Sequence, residues 1–333
     1  GRMLLVVVVA ALFVAGAPDV PLLCGALLAN GFARFVASGL AAALPDVVPR
    51  GDVVAMNSVA TAAGSALAVL GATAMLALRF LFGANDSGSA VIVAVVAVPV
   101  LAALILSARF PAGALGPADT RRAVHGSVFY AVSTGWVHGL RTVAARPTVT
   151  ATLTALAAHR MAFGINTLLV FVLVRHGAAP GKTGLAPSAL FGAATAAGAF
   201  VGIIGMPVLV NRWGRFATTS AALGAAAVIQ LGGVGLRIPM LVGCGFLLGI
   251  AGQVVKLCAD SAIQLDVDDA LRGQVFAVQD SLFWVAFVAA VALTAAVIPA
   301  DGHSPALVAA GSVIYLAGLA ATTFLVRAAR RPE

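Results

Sequence analysis

Apolar residues run along this chain in blocks of roughly 17 to 25, long enough at about 1.5 Å per residue to cross a hydrocarbon core of about 30 Å. The blocks lie near 3–17, 20–44, 54–78, 90–106, 148–174, 188–210, 217–236, 239–263, 275–298 and 307–326. Short polar stretches separate them. Ala, Gly and Leu dominate throughout, and the alternating period of an outer-membrane barrel strand is missing. The pattern predicts an all-α, polytopic helical membrane protein with about ten spans.

Composition agrees: 61% of residues are hydrophobic and 10% charged, with a mean hydropathy of +1.06, which excludes an ordinary soluble domain. The net charge of +8 could suggest nucleic acid, yet the basic residues punctuate the spans and form no patch interleaved with aromatics. Topology accounts for them better. Of 20 Lys and Arg, 13 would fall on one face and four, Arg79, Arg175, Lys182 and Arg237, on the other. By the positive-inside rule the richer face is cytoplasmic, so the expectation is a multi-pass protein of the plasma (inner) membrane with both ends of this chain inside. Only Arg34, Arg160 and Lys256 lie within spans.

Several chemistries find no footing. The three cysteines, Cys24, Cys244 and Cys258, fall in apolar spans as packing residues, and the five histidines lack zinc-ligand spacing. HGAAPGKTG around Lys182 is one glycine short of a phosphate loop. No catalytic residue, metal or cofactor is expected. The partners implied are the lipid bilayer and a small molecule, not nucleic acid, and the sequence sets no oligomeric state.

The only long polar connection, 108–147, divides the spans into a group at 1–107 and one at 148–327, followed by a tail at 328–333. The end of the connection, SVFYAVSTGWVHGLRTVAARP, has aromatics at near-helical spacing and suits an amphipathic helix at the inner interface. The two groups share an internal echo. Arg34 precedes Arg50-Gly51 by 16 residues, and Lys256 precedes Arg272-Gly273 by the same 16. The constant offset of 222 also aligns Ser38 with Asp260, Asn57 with Gln279 and Ser58 with Asp280. This predicts two parallel repeats of one helical unit, the construction of a two-half transporter.

LPDVVPRGDVVAMNS and LDVDDALRGQVFAVQDS resemble the cytoplasmic loops and following helices of the major facilitator superfamily, in its drug and siderophore exporter branch. NRWGRF is similar to the tail of that superfamily's motif between helices eight and nine, and Gly1-Arg2 looks like the end of its first copy. The resemblance covers nearly the whole chain. It implies a proton-coupled exporter of small amphipathic or lipophilic molecules, working by alternating access. It also implies that these spans are family helices three to twelve, the first two missing from a chain read as a fragment. Two departures stand out. Gly39 follows Arg34 at five residues, not four, and ATAAGSALAVLGATA lacks the proline of antiporter fifth helices.

Charges buried in apolar spans are costly and should face a cavity or a partner, at about 2.5 to 3.5 kcal/mol or more each if unpaired. The transport and coupling candidates are therefore Arg34, Arg160, Lys256, Asp260 and Asp280. Lys256 and Asp260 also suit a self-neutralising i, i+4 pair. Asn30, Asn57, Asn166, Gln253 and Gln279 are expected to add polar lining to the same cavity. At the cytoplasmic helix ends, Asp46, Arg50, Arg212, Arg215, Asp266, Asp269 and Arg272 are candidates for a gate of carboxylate–arginine pairs. A competing reading makes the chain a membrane enzyme acting on a lipid diphosphate, with Asp266, Asp268 and Asp269 holding Mg²⁺.

Overall fold

The computed structural model describes residues 19–83, 85–109, 128–176 and 186–329. The apolar block at 3–17, the first part of the central connection and Lys182 lie outside them. The described chain runs as α1 (Asp19–Val47), α2 (Val53–Phe82), α3 (Asp86–Ser107), α4 (Val128–Ala145), α5 (Pro147–His176), α6 (Ala186–Gly232), α7 (Ile238–Asp266), α8 (Asp269–Val297) and α9 (Pro305–Ala329). Every expected span within the described residues lies on one of these helices, and seven helical stretches there are long and apolar enough to cross a membrane. The chain is thus a polytopic helical membrane protein.

Local chemistry sets the boundaries. Asn85 caps α3 by accepting from the Gly88 amide at 2.8 Å. Pro147 opens α5, where a missing N–H costs nothing. The two blocks expected at 188–210 and 217–236 share α6, interrupted at Gly214, whose φ of 78° suits glycine. The glycine of NRWGRF is therefore the joint between two spans. Helix α4 occupies the stretch expected to be amphipathic.

Two compact units emerge. One holds α1, α2 from Ala63 onward and α3; the other holds Val48–Ala62 together with α4 to α9. In the second unit α6 and α7 form the most extensive interface. Glycines make it possible. A Cβ on Gly198 would collide with the Phe246 carbonyl, one on Gly249 with the Thr195 carbonyl, and one on Gly202 would lie 2.8 Å from the Ile250 carbonyl oxygen. Close backbone approach of this kind stands in for the missing hydrophobic drive between helices in lipid. A cluster of Ile203, Met206, Val254, Leu257 and Cys258 extends the contact, with Val54 and Ala62 packed on it. Helix α5 packs against α9 and α8, with Gly164 under the Phe287 carbonyl. In the first unit, a Cβ on Gly64 or Gly71 would have nothing within 4 Å.

Candidate functional site

Three helices of the second unit bring the charged residues together. His159 on α5 lies against the backbone of α7 at Gly252, where any Cβ would enter its ring. One turn further along α7 is Lys256, and the next turn brings Asp260. The Lys256 ammonium lies 2.6 Å from Asp260 Oδ2. Asp260 Oδ1 accepts a 2.6 Å hydrogen bond from Gln279 Nε2 on α8. Asp260 and Gln279 are buried, at 4% and 5% exposed, whereas 32% of the lysine side chain stays accessible. The network thus buries its acid and shows its cation. Two charge-assisted hydrogen bonds offset much of the desolvation of the carboxylate. Gln279 Oε1 and Gln253 Nε2 are buried with no hydrogen-bond partner among the described residues.

Arg160, next to His159, places its guanidinium 3.4 Å from the centre of the Phe283 ring on α8 and 5.4 Å from that of Phe163. Phe163 packs on Phe287 at 5.8 Å and Trp284 on Phe283 at 5.4 Å, so an aromatic cluster surrounds the cation. Asp280, half-buried, follows Gln279 on α8. Arg160, Lys256, Asp260, Gln279 and Asp280 therefore belong to one region where α5, α7 and α8 meet.

Two buried polar pairs were not singled out in the sequence. Tyr315 on α9, fully buried, shares a 2.9 Å hydrogen bond with His159 Nδ1. Gln230 on α6 and Asn166 on α5 exchange amide hydrogen bonds of 2.8 and 2.7 Å, and Gln230 also donates to the Val308 carbonyl at 3.3 Å. Asn166, an expected cavity residue, is thus engaged between helices. The usable signal was a polar side chain in mid-span, which needs a partner in lipid.

At the ends of α7 and α8 lies a second charged group. Arg215, just past the Gly214 break, holds both oxygens of Asp266 at 2.9 and 3.1 Å and donates to the Ser261 carbonyl at 3.1 Å. Thr148 at the start of α5 donates to Asp266 at 2.8 Å. Arg272, buried, reaches Asp269 at 3.3 Å and the Val267 carbonyl at 3.3 Å. Arg146 lies 3.9 Å from Asp268 in the open. Each carboxylate of the DVDD run thus faces a different arginine, and among the described residues no cluster of His, Cys, Asp or Glu could hold a metal ion. A cavity of about 640 Å³ beside Arg215 and Asp266 is lined by Thr148, Thr152, Trp213 and Phe216. Arg212 is exposed and lies outside this network.

The remaining candidates sit elsewhere. Asn30 is exposed and Arg34 half-buried on α1, and Asp46 is exposed near the end of that helix. Arg50 is exposed in the short 3₁₀ turn Arg50–Asp52. Asn57 is buried in the second unit, its Nδ2 without a hydrogen-bond partner among the described residues, while Ser58 beside it contacts Met206 Sδ at 3.9 Å.

No family model matches the chain. It is 58% identical over 327 residues to an uncharacterised MFS-type transporter of Mycobacterium bovis, and equally so to one of Mycobacterium tuberculosis. Each alignment covers 98% of this chain and 74% of the relative.

Proposed function

The chain belongs to the MFS-type, or major facilitator superfamily, secondary transporters, and on that premise we propose that it exports small amphipathic or lipophilic molecules, of drug or siderophore type, in exchange for protons. Movement of a small-molecule substrate across a bilayer follows from the family; the direction, the proton and the substrate class are the proposal. The observation that carries it is the Lys256–Asp260–Gln279 network. A permanent structural pair needs only its two members. Here the acid is also bonded to a neighbouring helix, so protonation of Asp260 would loosen Lys256 and the α7–α8 contact in one step. That is what coupling a proton to helix movement requires. Asp280, next to Gln279 on α8, and Arg160, next to His159 on α5, complete the coupling region, and the aromatics around Arg160 suit a flat, lipophilic substrate.

In this reading residues 1–107 and 148–327 are the two moving halves in a plasma (inner) membrane, with 108–147, the tail at 328–333 and both ends of the chain cytoplasmic. The Arg215–Asp266 pair, with Asp269 and Arg272, acts as an inward gate, and Asp46, Arg50 and Arg212 serve the same face. The test is pH-gradient-driven export of a lipophilic dye into inverted vesicles. Asp260→Asn, Asp280→Asn and Lys256→Met should abolish transport while inserting normally. Unchanged transport in all three would remove the coupling role, and gradient-independent movement by the parent would remove the proton.

A further inference from the structure

Helix α4 has two distinct sides. One carries Gly135 and Gly139, a single turn apart and both buried. A Cβ on Gly139 would lie 2.8 Å from the Gln274 carbonyl oxygen and 2.9 Å from Val278 Cγ2, and one on Gly135 would meet the Gln274 side chain at 3.7 Å. The backbone of α4 therefore rests directly on α8. Gln274 and Val278 lie about 8 and 13 Å along α8 from its start, at 1.5 Å per residue. So α4 is level with the opening turns of a membrane-spanning helix and does not hang beyond its end.

The other side is apolar and uncovered. Trp136, Val137 and Leu140 are 44%, 43% and 39% exposed. At 100° per residue they fall within an arc of about 100°, and Ala144, also exposed, lies inside the same arc two turns on from Trp136. Arg141, exposed, borders this stripe, and the helix contains no Asp or Glu. Apolar residues segregate to one side in α4 more strongly than in the other helices described, yet it is not among the stretches apolar enough to span. A basic, strongly one-sided helix with a tryptophan at the level of a span's first turns has the chemistry of the bilayer interface.

We propose that this face of α4 is an in-plane anchor on the bilayer, with Trp136, Val137 and Leu140 set among the acyl chain ends and Arg141 against anionic phospholipid headgroups. Anionic lipid is the occupant the charge favours: the exposed side offers a cation and no acid. Because Gly139 keys α4 to α8, the anchor fixes the helix carrying Gln279 and Asp280 to the membrane surface. The inference needs only that the chain spans a membrane.

The chain has three tryptophans, 136, 213 and 284, so Trp136 can be isolated by difference. The chain and its Trp136→Phe variant are reconstituted in phosphatidylcholine vesicles, with and without phosphatidylglycerol, carrying bromine at shallow or deep acyl positions. The expected result is loss of the Trp136 emission to shallow bromines before deep ones, protection from aqueous iodide, and deeper quenching with phosphatidylglycerol that Arg141→Gln abolishes. Quenching by iodide but not by bromolipid would overturn the anchor. Protection from both quenchers would mean that protein covers the face, a second copy included, and would also overturn it. Bromolipid quenching indifferent to phosphatidylglycerol and to Arg141→Gln would overturn the anionic specificity. Should Trp136→Phe not insert, the Trp213→Phe/Trp284→Phe double variant, in which Trp136 alone emits, gives the same quantities.

Discussion

Gln279 on α8 donates a 2.6 Å hydrogen bond to Asp260 on α7, so the carboxylate that neutralises Lys256 is held from a neighbouring helix. An i, i+4 pair alone could be explained by neutralisation on insertion. The amide changes that, because it makes the position of the acid depend on how two spans pack. The internal repeat adds a contrast. At the offset of 222 the first copy has Ser38 and Asn57 in place of Asp260 and Gln279, so only the second copy carries the acid.

The network should reveal itself as non-additivity. Lys256→Met leaves a buried carboxylate without its cation and should destabilise by roughly 3–5 kcal/mol. Gln279→Leu removes one donor from the same carboxylate, at about 1–3 kcal/mol. The Lys256→Met/Asp260→Leu pair should recover most of the first loss. Denaturant unfolding of purified protein measures these three together with Asp260→Leu alone, and strict additivity of the Lys256 and Asp260 changes would mean that the residues act independently.

Arg215 donates from Nη2 to both oxygens of Asp266 while its Nη1 reaches the Ser261 carbonyl, a two-nitrogen span that a single lysine ammonium cannot reproduce. Arg215→Lys should therefore weaken this contact by about 1.5–3 kcal/mol, the worth of a hydrogen bond to a charged group. Thr152 is buried and lines the adjoining cavity. A cysteine placed at Thr152 should be alkylated faster from the side of that cavity when Arg215 is lysine. An unchanged rate would separate the pair from any gating movement.

Glycines separate by what surrounds them. Gly249→Ala forces a methyl into the Thr195 carbonyl, and overpacking of this sort costs about 1–3 kcal/mol. Gly64→Ala meets nothing within 4 Å and should change stability by less than about 1 kcal/mol, the span of the helix-propensity difference. Heat challenge in detergent followed by size-exclusion recovery distinguishes the two. Equal recovery would contradict the α6–α7 interlock.

Much of this was legible in hydropathy. Spans, helical class and the amphipathic stretch of α4 follow from local apolar runs, since in lipid every backbone group must be satisfied within its own helix. The spacing from Lys256 to Asp260 also announced a pair. What stayed hidden depends on which faces meet. Asn166 reads in the sequence as cavity lining, but its partner Gln230 is 64 residues away and lies in a different span. His159 has no metal-ligand spacing in the sequence, while Tyr315 and the bare backbone at Gly252 give it a place in the structure. Gly214 looked like part of a loop motif and proved to be the joint between two spans, a distinction made by one backbone angle and not by composition.

The Asn166–Gln230 pair gives a prediction with a direction built in. Gln230 Nε2 donates both to Asn166 and to the Val308 carbonyl, whereas the described hydrogen bonds of the Asn166 side chain all go to Gln230. Asn166→Leu therefore leaves Gln230 one partner, while Gln230→Leu strips the asparagine of both its bonds. Gly311, whose absent Cβ makes room for the Gln230 amide, lets that side chain persist after the first change. Gln230→Leu should thus be the more destabilising of the two. The coupling energy should fall in the range of about 0.6–1.7 kcal/mol measured for hydrogen bonds between membrane helices. The double leucine variant should lie closer to the parent than Gln230→Leu does, because no buried amide is left waiting. Unfolding midpoints of the three variants in one detergent decide it, and the reverse order of the single variants would show that the pair does not bear on the α5–α6 contact.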